Sequence, residues 1–350
     1  MSVRHLSLCS LIASAWLAVL AAPVNAAETL VPQAHLTSSG DFVGRKGKVA
    51  ADVSGLACMP GPSGTRRCLL INDEGGFAQF AQLAENRITP GATLPIIGSK
   101  AAPETLGRAP TGLCHKAGGF AELDGEAVTY ADGAFYIAGS HGCSRNKGEF
   151  RLSAFHLARL KVDAAGQPAG SVELTYRLSD LLRQAGPAAP FFGKALMQEN
   201  GLNLEGIAVT GDTLWAGLRA PSLRQRAFLV GGTIADLFAS GSEPARSAPQ
   251  VVEIEIGADR GIRDLAALAD GRLLALTGPA QDQDVPFEIV LVDPKGTAGP
   301  RNLGALHKLR GAKAESITVL AETGRQLEVL IGYDGPRNGG FELYRLPVQP

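Results

Sequence analysis

One pattern of polar and apolar positions occurs five times along the chain. In each copy an acidic or hydroxyl residue precedes alternating small and apolar residues, a polar turn and a second apolar run. The copies begin at Ser54, Glu126, Glu205, Asp264 and Glu315. Alternation with a period of two predicts a β-strand, and the turn and second run predict its antiparallel partner. Repetition of such a unit indicates an all-β repeat architecture.

The spacing of the copies predicts a β-propeller. A four-stranded blade needs about 40–50 residues, and the last two intervals between copies are close to that length. Five copies favour five blades, with a sixth, degenerate blade within 85–123 as the alternative. The last copy leaves room for about three strands, so we expect an N-terminal strand at 30–36 to complete it. Closing the ring in this way removes open sheet edges.

The longer intervals predict insertions in a single domain that spans 27–350. Residues 99–123 are rich in Gly, Pro and Ala and are expected to form a long loop over one face. The insertion at 179–200 is expected to begin with a short helix that Ser179 caps and that stops at Gly186. A second short helical insertion, at 233–238, is expected in the third blade.

The N-terminal 26 residues have the features of a secretory signal peptide. A short basic start precedes an apolar stretch at 6–22, and Val24-Asn-Ala resembles a cleavage site. We therefore expect a periplasmic or secreted protein with no membrane attachment after cleavage. The four remaining cysteines, Cys58, Cys68, Cys114 and Cys143, predict two disulfides in an oxidising compartment. Cys58 and Cys68 can face each other across a hairpin.

A zinc site is the alternative for the second cysteine pair. Cys114 and Cys143, together with His115 and His141, form a Cys₂His₂ set with suitable ligand types. The expected oxidising compartment favours the disulfide between Cys114 and Cys143.

Composition excludes several classes of function. The net charge is −1, the charges are interspersed, and only 6% of residues are aromatic. A nucleic-acid partner and an anionic membrane surface are therefore not expected. The chain has no phosphate-binding loop, dinucleotide fingerprint or Gly-x-Ser-x-Gly elbow, so no organic cofactor is predicted.

Propeller geometry predicts where the chemistry lies. The start of each innermost strand and the end of the next strand lie at the same rim of the central channel. The repeated polar residues should therefore ring the channel mouth, with Asp73, Glu74, His141, Arg219 and Asp334 in a second ring around them.

The two rings suggest roles for these residues. Loosely spaced oxygen ligands suit Ca²⁺, so a calcium site is a candidate at Glu126, Glu205, Asp264 and Glu315. The alternative is that these acids cap strands and pair with Arg219, Arg263 or Lys313. His141 is the candidate acid, base or ligand, and Arg219 the candidate anion-binding residue. Asp73, Glu74 and Asp334 are the candidate substrate contacts.

Longer motifs resemble a known family. They are Gly201-Leu-Asn-Leu-Glu-Gly-Ile-Ala-Val, Leu214-Trp-Ala-Gly-Leu-Arg-Ala-Pro, Gly261-Ile-Arg-Asp-Leu-Ala, Gly271-Arg-Leu-Leu-Ala-Leu-Thr-Gly-Pro, Asp124-Gly-Glu-Ala-Val, Gly139-Ser-His-Gly and Lys313-Ala-Glu-Ser-Ile. Together they resemble a bacterial domain family of unknown function whose members are similar to esterase-like phytase propellers. The resemblance implies a β-propeller and calcium-assisted hydrolysis of phosphate or carboxylic esters. The dense acidic run of calcium-rich phytases is not found here.

Two functions follow from these observations. The first is a metal-assisted hydrolase of a small anionic ester, with His141 as the base and Arg219 holding the substrate. The second is a non-catalytic propeller scaffold whose channel mouth binds a ligand or a protein partner, because the fold alone does not specify chemistry.

Overall fold

The computed structural model describes residues 28–61, 64–120 and 122–347. The predicted signal peptide at 1–26 lies outside these residues. No helix within them is long and apolar enough to cross a membrane.

The strands of the first half follow in chain order. They are β1 (Thr29–Leu30), β2 (Ala34–His35), β3 (Thr37–Ser38), β4 (Val53–Cys58), β5 (Thr65–Asn72), β6 (Phe77–Ala84), β7 (Arg87–Pro95), β8 (Lys116–Ala117), β9 (Gly125–Ala131), β10 (Ala134–Gly139), β11 (Glu149–Phe150), β12 (Leu157–Lys161) and β13 (Glu173–Thr175). The second half continues with β14 (Asn203–Thr210), β15 (Thr213–Ala220), β16 (Arg226–Thr233), β17 (Gln250–Glu255), β18 (Arg260–Ala267), β19 (Leu273–Pro279), β20 (Glu288–Val292), β21 (Arg301–Leu306), β22 (Lys313–Thr323), β23 (Gln326–Asp334) and β24 (Glu342–Pro347).

These strands form a five-bladed propeller, as the repeats predict. The blades are β4–β7, then β9, β10, β12 and β13, then β14–β17, β18–β21 and finally β22–β24. The innermost strands β4, β9, β14, β18 and β22 contact one another in a closed ring. In the described part of 85–123 the chain completes β7 and adds only the short β8, which pairs with β11. Five blades are therefore confirmed over six.

The N-terminal segment closes the ring and extends further than predicted. β2 pairs antiparallel with β24 and supplies the fourth strand of the last blade. On either side of it, β1 pairs with β21 of the fourth blade and β3 pairs with β7 of the first. We call residues 29–38 the strap, because they join the outer edges of three consecutive blades.

A buried glutamate fixes the strap to the last blade. Glu342 on β24 is 1% exposed, and the hydroxyls of Tyr333 and Tyr344 each donate to its Oε2 at 2.6 Å. Its Oε1 lies 3.1 Å from His35 Nδ1 on the strap and 3.1 Å from His307 Nε2. Burial raises the pKa of both tyrosines, so their phenols stay protonated donors. We call these five residues the closure cluster.

The insertions carry short helices. The α-helices are α1 (Arg177–Leu182), α2 (Leu196–Glu199) and α3 (Ile234–Leu237), and 3-10 turns occur at Arg45–Gly47, Leu152–Phe155, Gly186–Phe191 and Arg337–Gly339. The expected cap at Ser179 is wrong, because α1 begins two residues earlier at Arg177. The buried Arg177 guanidinium donates to backbone carbonyls of 239–243, which holds that earlier turn in place. Thr233 does cap α3, accepting from the Asp236 N–H.

Both predicted disulfides are present. Cys58 and Cys68 are directly opposite each other on β4 and β5 and are bonded. Cys114 is bonded to Cys143, which ties the long loop to the segment after β10. The zinc alternative is therefore wrong, because both of its sulfur ligands are used in the disulfide.

Candidate functional site

Each innermost strand contains a β-bulge near its start. The pairing with the second strand skips one residue there, which leaves that residue outside the ladder and re-aims its side chain. The skipped residues are Ser54, Glu126, Glu205, Arg263 and Glu315. The equivalent position in the fourth blade is therefore Arg263, and the sequence alignment that placed Asp264 there is wrong by one residue.

Asp264 occupies a different position from the other three predicted calcium ligands. It is equivalent to Gly55, Ala127, Gly206 and Ser316, which follow the bulged residues. Asp264 is fully buried, and its Oδ2 accepts the backbone N–H of Ile317 in the next blade at 2.8 Å. Burial raises the pKa of this carboxyl well above its usual value. Its role is to join two blades.

The bulges bring two arginines and two glutamates into one cluster. Arg263 lies between two carboxylates, with Nη1 at 2.9 Å from Glu205 Oε2 and Nη2 bonded to Glu315 Oε1. Arg219, from the end of β15, places Nη1 at 2.5 Å from the other Glu205 oxygen. We call Glu205, Arg219, Arg263 and Glu315 the arginine–glutamate cluster. Glu315 is its most exposed member, at 12% of its side chain.

The acids around this cluster exceed its positive charge. Burial, together with the charge of Glu205, raises the pKa of Glu126 well above its usual value. Burial raises the pKa of Glu315 to about 7, with Arg263 opposing the rise and Glu205 adding to it. Burial and the charges of Glu315 and Asp124 raise the pKa of Asp73 to about 8. The mouth therefore holds carboxyls that keep their protons near neutral pH.

The predicted outer ring is only partly assembled. Asp73 lies at the mouth, and its buried Oδ1 has no hydrogen-bond partner among the described residues. Asp334 also lies near the mouth, because its charge raises the pKa of Asp73 and Glu315, and it pairs with Lys313 at 2.9 Å. Glu74 instead pairs with Arg45 at 2.8 Å.

Asp124 is a mouth residue to which the sequence analysis gave no role. It accepts a hydrogen bond from the Ser140 hydroxyl, and burial raises its pKa. Its φ of +52° fits an Asp-Gly turn. The Asp-Gly pair was the feature of the sequence that could have indicated this position.

His141 does not lie at the rim. It is fully buried, its φ is +49°, and its ring packs edge-on against Phe155 at 6.0 Å. Nδ1 lies 3.0 Å from the Gly139 carbonyl, to which it donates as a neutral imidazole. Burial lowers the pKa of His141 to about 4. The residue predicted as an acid, base or ligand at the rim is therefore a buried, neutral imidazole.

The described residues do not fit the expected calcium site. They contain no group of three or more His, Cys, Asp or Glu side chains placed to hold an ion. Asp264 is turned to a backbone amide, and Arg263 takes the central place between two of the other candidate ligands. The arrangement is instead the alternative in which arginines neutralise the acids. Calcium stays a prediction.

A cavity of about 850 Å³ adjoins the arginine–glutamate cluster between the fourth and fifth blades. Arg219 and Arg263 line its inner end. The segments 281–287 and 306–314, which lead into β20 and β22, form its walls. This volume is in the range of pockets that bind small molecules.

Comparison with solved structures finds several remote likenesses. An exo-β-1,3-galactanase from Clostridium thermocellum has 11% identity and a TM-score of 0.46, over 90% of this chain and 63% of the galactanase chain. An α-L-arabinanase from Penicillium chrysogenum has 8% identity and a TM-score of 0.41, over 91% and 99% of the two chains. Hydrazine synthase from Kuenenia stuttgartiensis has 12% identity and a TM-score of 0.40, over 88% and 90%. The chain thus spans less than two thirds of the galactanase's length.

Comparison of sequences gives the family. No curated protein matches the chain. The resemblance to phytase-type propellers stays a prediction. The family described as "Protein of unknown function (DUF3616)" matches residues 158–340, which is more than half of the chain. These residues include three of the five bulged positions and both arginines of the cluster. The chain belongs to this DUF3616 family.

Proposed function

We propose that the channel mouth is the active site of a hydrolase that cleaves a phosphate or carboxylic ester by carboxyl acid–base catalysis. The observation that carries the proposal is Arg263, which is bonded to both Glu205 and Glu315 beside the interblade cavity. It pairs with both carboxylates, and Glu315 is the more exposed of the two and is able to exchange its proton. Neighbouring carboxyls with different proton affinities are typical of acid–base sites.

Glu315 is the proposed general base. A base works best when its pKa lies near the working pH, and Glu315 has a pKa of about 7. Glu126, whose pKa is raised well above its usual value, is the proposed general acid. Arg263, whose Nε has no hydrogen-bond partner among the described residues, would stabilise the negative charge that develops on the ester oxygen.

The proposed step conserves atoms and charge. Glu315 removes a proton from water while the water oxygen bonds to the acyl carbon or phosphorus. The bond to the leaving alcohol oxygen breaks, and that oxygen takes the proton of Glu126. Transfer of a proton from Glu315 to Glu126 through solvent restores both groups.

A periplasmic or secreted location is part of the proposal. The two disulfides support it, because such bonds persist in oxidising compartments.

The test compares Glu315→Gln with Glu328→Gln, a control on β23 of the same blade, where Glu328 pairs with Arg345. The purified protein is assayed against a panel of p-nitrophenyl carboxylic and phosphate esters, with EDTA and with added calcium. We expect turnover that Glu315→Gln lowers by about 10²–10⁴-fold and Glu328→Gln leaves unchanged. Ligand binding without turnover of any ester would favour the scaffold function, and turnover that EDTA abolishes would favour the calcium mechanism.

A further inference from the structure

The lining of the cavity between the fourth and fifth blades indicates which kind of ligand fits it. Its inner end is polar and its walls are largely apolar, with Val285, Phe287, Leu306 and Leu309 among the lining residues. The inner end and the wall are in direct contact. A Cβ built on Gly278 would lie 2.4 Å from the Phe287 ring and 3.2 Å from Arg263 Cγ, so both side chains pack over this glycine.

The polar end has little capacity left to bind an anion. The Nε, Nη1 and Nη2 atoms of Arg219 donate to Ala280 O, Glu205 and Gln281 O. Arg263 uses Nη1 and Nη2 on Glu205 and Glu315. The two arginines are thus matched by two glutamates, and nearby Asp73, Asp124 and Glu126 add only acidic groups. A phosphate dianion needs surplus positive charge and free paired donors, which this end does not offer.

One guanidinium nitrogen at this end makes no hydrogen bond to the described residues. Arg263 Nε is buried, and it has no hydrogen-bond partner among the described residues, although the side chain is only 2% exposed. A buried donor without an acceptor is costly, so an acceptor oxygen from a ligand would be stabilised there. A single N–H matches a neutral carbonyl oxygen better than it matches a phosphate group.

Two of the three Lys and Arg residues at the outer rim are paired, and the exposed Arg310 is the exception among the described lining residues. Lys308 pairs with Asp284 at 2.7 Å, and Lys313 pairs with Asp334 at 2.9 Å. Both are therefore neutralised by carboxylates at the same rim.

We infer that the interblade cavity binds the apolar acyl group of a carboxylic ester, with the ester carbonyl at Arg263 Nε and the chain along Val285 and Phe287. This inference rests on the proposed function for the hydrolytic step and selects carboxylic over phosphate esters. Binding of the acyl group itself does not require turnover, so the two proposals are separable by experiment.

The test measures binding of neutral ketones, which present a carbonyl and an apolar chain but cannot be hydrolysed. Titration calorimetry with 2-pentanone through 2-octanone should show a Kd that tightens by about fourfold per buried methylene. Val285→Asp, a loop substitution that places a charge on the wall, should remove this dependence on chain length. Val31→Asp is the matched control, because Val31 is 71% exposed on the strap. Melting curves verify that both variants are folded.

The ester panel distinguishes failure of this inference from failure of the proposed function. Chain-dependent ketone binding without turnover would overturn the hydrolase and support the acyl-binding cavity. Turnover of p-nitrophenyl phosphate, with Kd values for the ketones that do not depend on chain length, would support the hydrolase and overturn the acyl inference. If Val285→Asp and Val31→Asp bind 2-octanone equally, the chain lies elsewhere and the inference is wrong.

Discussion

Glu205 at the channel mouth and Glu342 at the ring closure are both almost completely buried, but the protein satisfies them by different means. Two arginines neutralise Glu205 with full positive charges. Glu342 instead receives hydrogen bonds from two tyrosine hydroxyls, with two histidines beside its other oxygen. The cluster around Glu205 lies among acids with raised pKa values, whereas the groups around Glu342 are hydrogen-bond donors. The channel mouth is therefore able to exchange protons, whereas the ring closure has a structural role.

The largest effect is expected when the cation at the mouth is removed. Arg263→Met leaves Glu205 and Glu315 without their shared partner in a buried position, which should cost about 3–5 kcal/mol of unfolding free energy. Arg345→Met, which breaks an exposed pair with Glu328 at 3.3 Å, should cost less than about 1 kcal/mol. Urea unfolding measures both values. Equal losses would show that the burial of the cluster has no energetic importance.

Removing the acceptor at the closure should have the next largest effect. Glu342→Leu removes the shared acceptor and leaves the buried Tyr333 and Tyr344 hydroxyls, 3.2 Å apart, with only each other as partners, at a cost of about 2–3 kcal/mol. Adding Tyr333→Phe and Tyr344→Phe to that variant should recover part of the stability, because the orphaned donors are gone. If the triple variant is no more stable than Glu342→Leu, the hydroxyl bonds are not the source of the stability.

The excess of acids at the mouth predicts a dependence on pH. The pKa of Asp73 is about 8 in the folded protein, above its value in the unfolded chain, so the folded state binds the extra proton between about pH 4 and pH 8. This contribution to stability is present below that window and is lost as the pH rises through it. Asp73→Asn should therefore raise Tm by about 2–4 °C at pH 9 and change it little at pH 5.

Asp270→Asn is the control for that measurement. Its bond to Arg272 lowers the pKa of Asp270, so the native carboxylate is favoured at high pH. This substitution should give no gain at pH 9. A gain from both variants would indicate a general charge effect and contradict the assignment to the mouth.

The smallest effect is expected at the exposed edge of the closure cluster. His35 is 71% exposed, so His35→Ala should cost less than about 1 kcal/mol. Hydrogen exchange of the strap amides should nevertheless become faster, since one of its side-chain contacts to β24 is removed. Unchanged exchange would show that backbone pairing alone holds the strap.

Most of the fold could be predicted from the sequence because the repeats are regular. The alternation after each bulged residue specified five innermost strands, and the short last copy correctly implied closure by the N-terminal segment. Matching the repeats by their acidic residue placed Asp264 where Arg263 belongs, because Asp264 resembles the acids of the other copies. The apolar positions of the repeat give the correct alignment. In that alignment Leu265 is equivalent to Leu56, Val128, Ile207 and Ile317.

The candidate site was less predictable because it depends on local backbone geometry and burial. The left-handed conformation of His141 turns it into the core, and no strand pattern reports a single positive φ. The pairing of Arg263 with two glutamates from neighbouring blades depends on bulges, which shift a side chain without changing the composition. The long loop at 99–123 lacks periodicity, so only its cysteine indicated how it is attached.

The strap has a consequence for how the chain reaches its folded state. Ala34 pairs with Leu343, so residues from opposite ends of the sequence form one blade. Contacts of such high sequence separation are slow to form, because the entropy of closing a long loop is lost before the contact stabilises it. Four complete blades lie between the strap and its partner β24 along the chain. Until β1 and β2 have paired, the outer edges of the fourth and fifth blades are open to pairing with other chains.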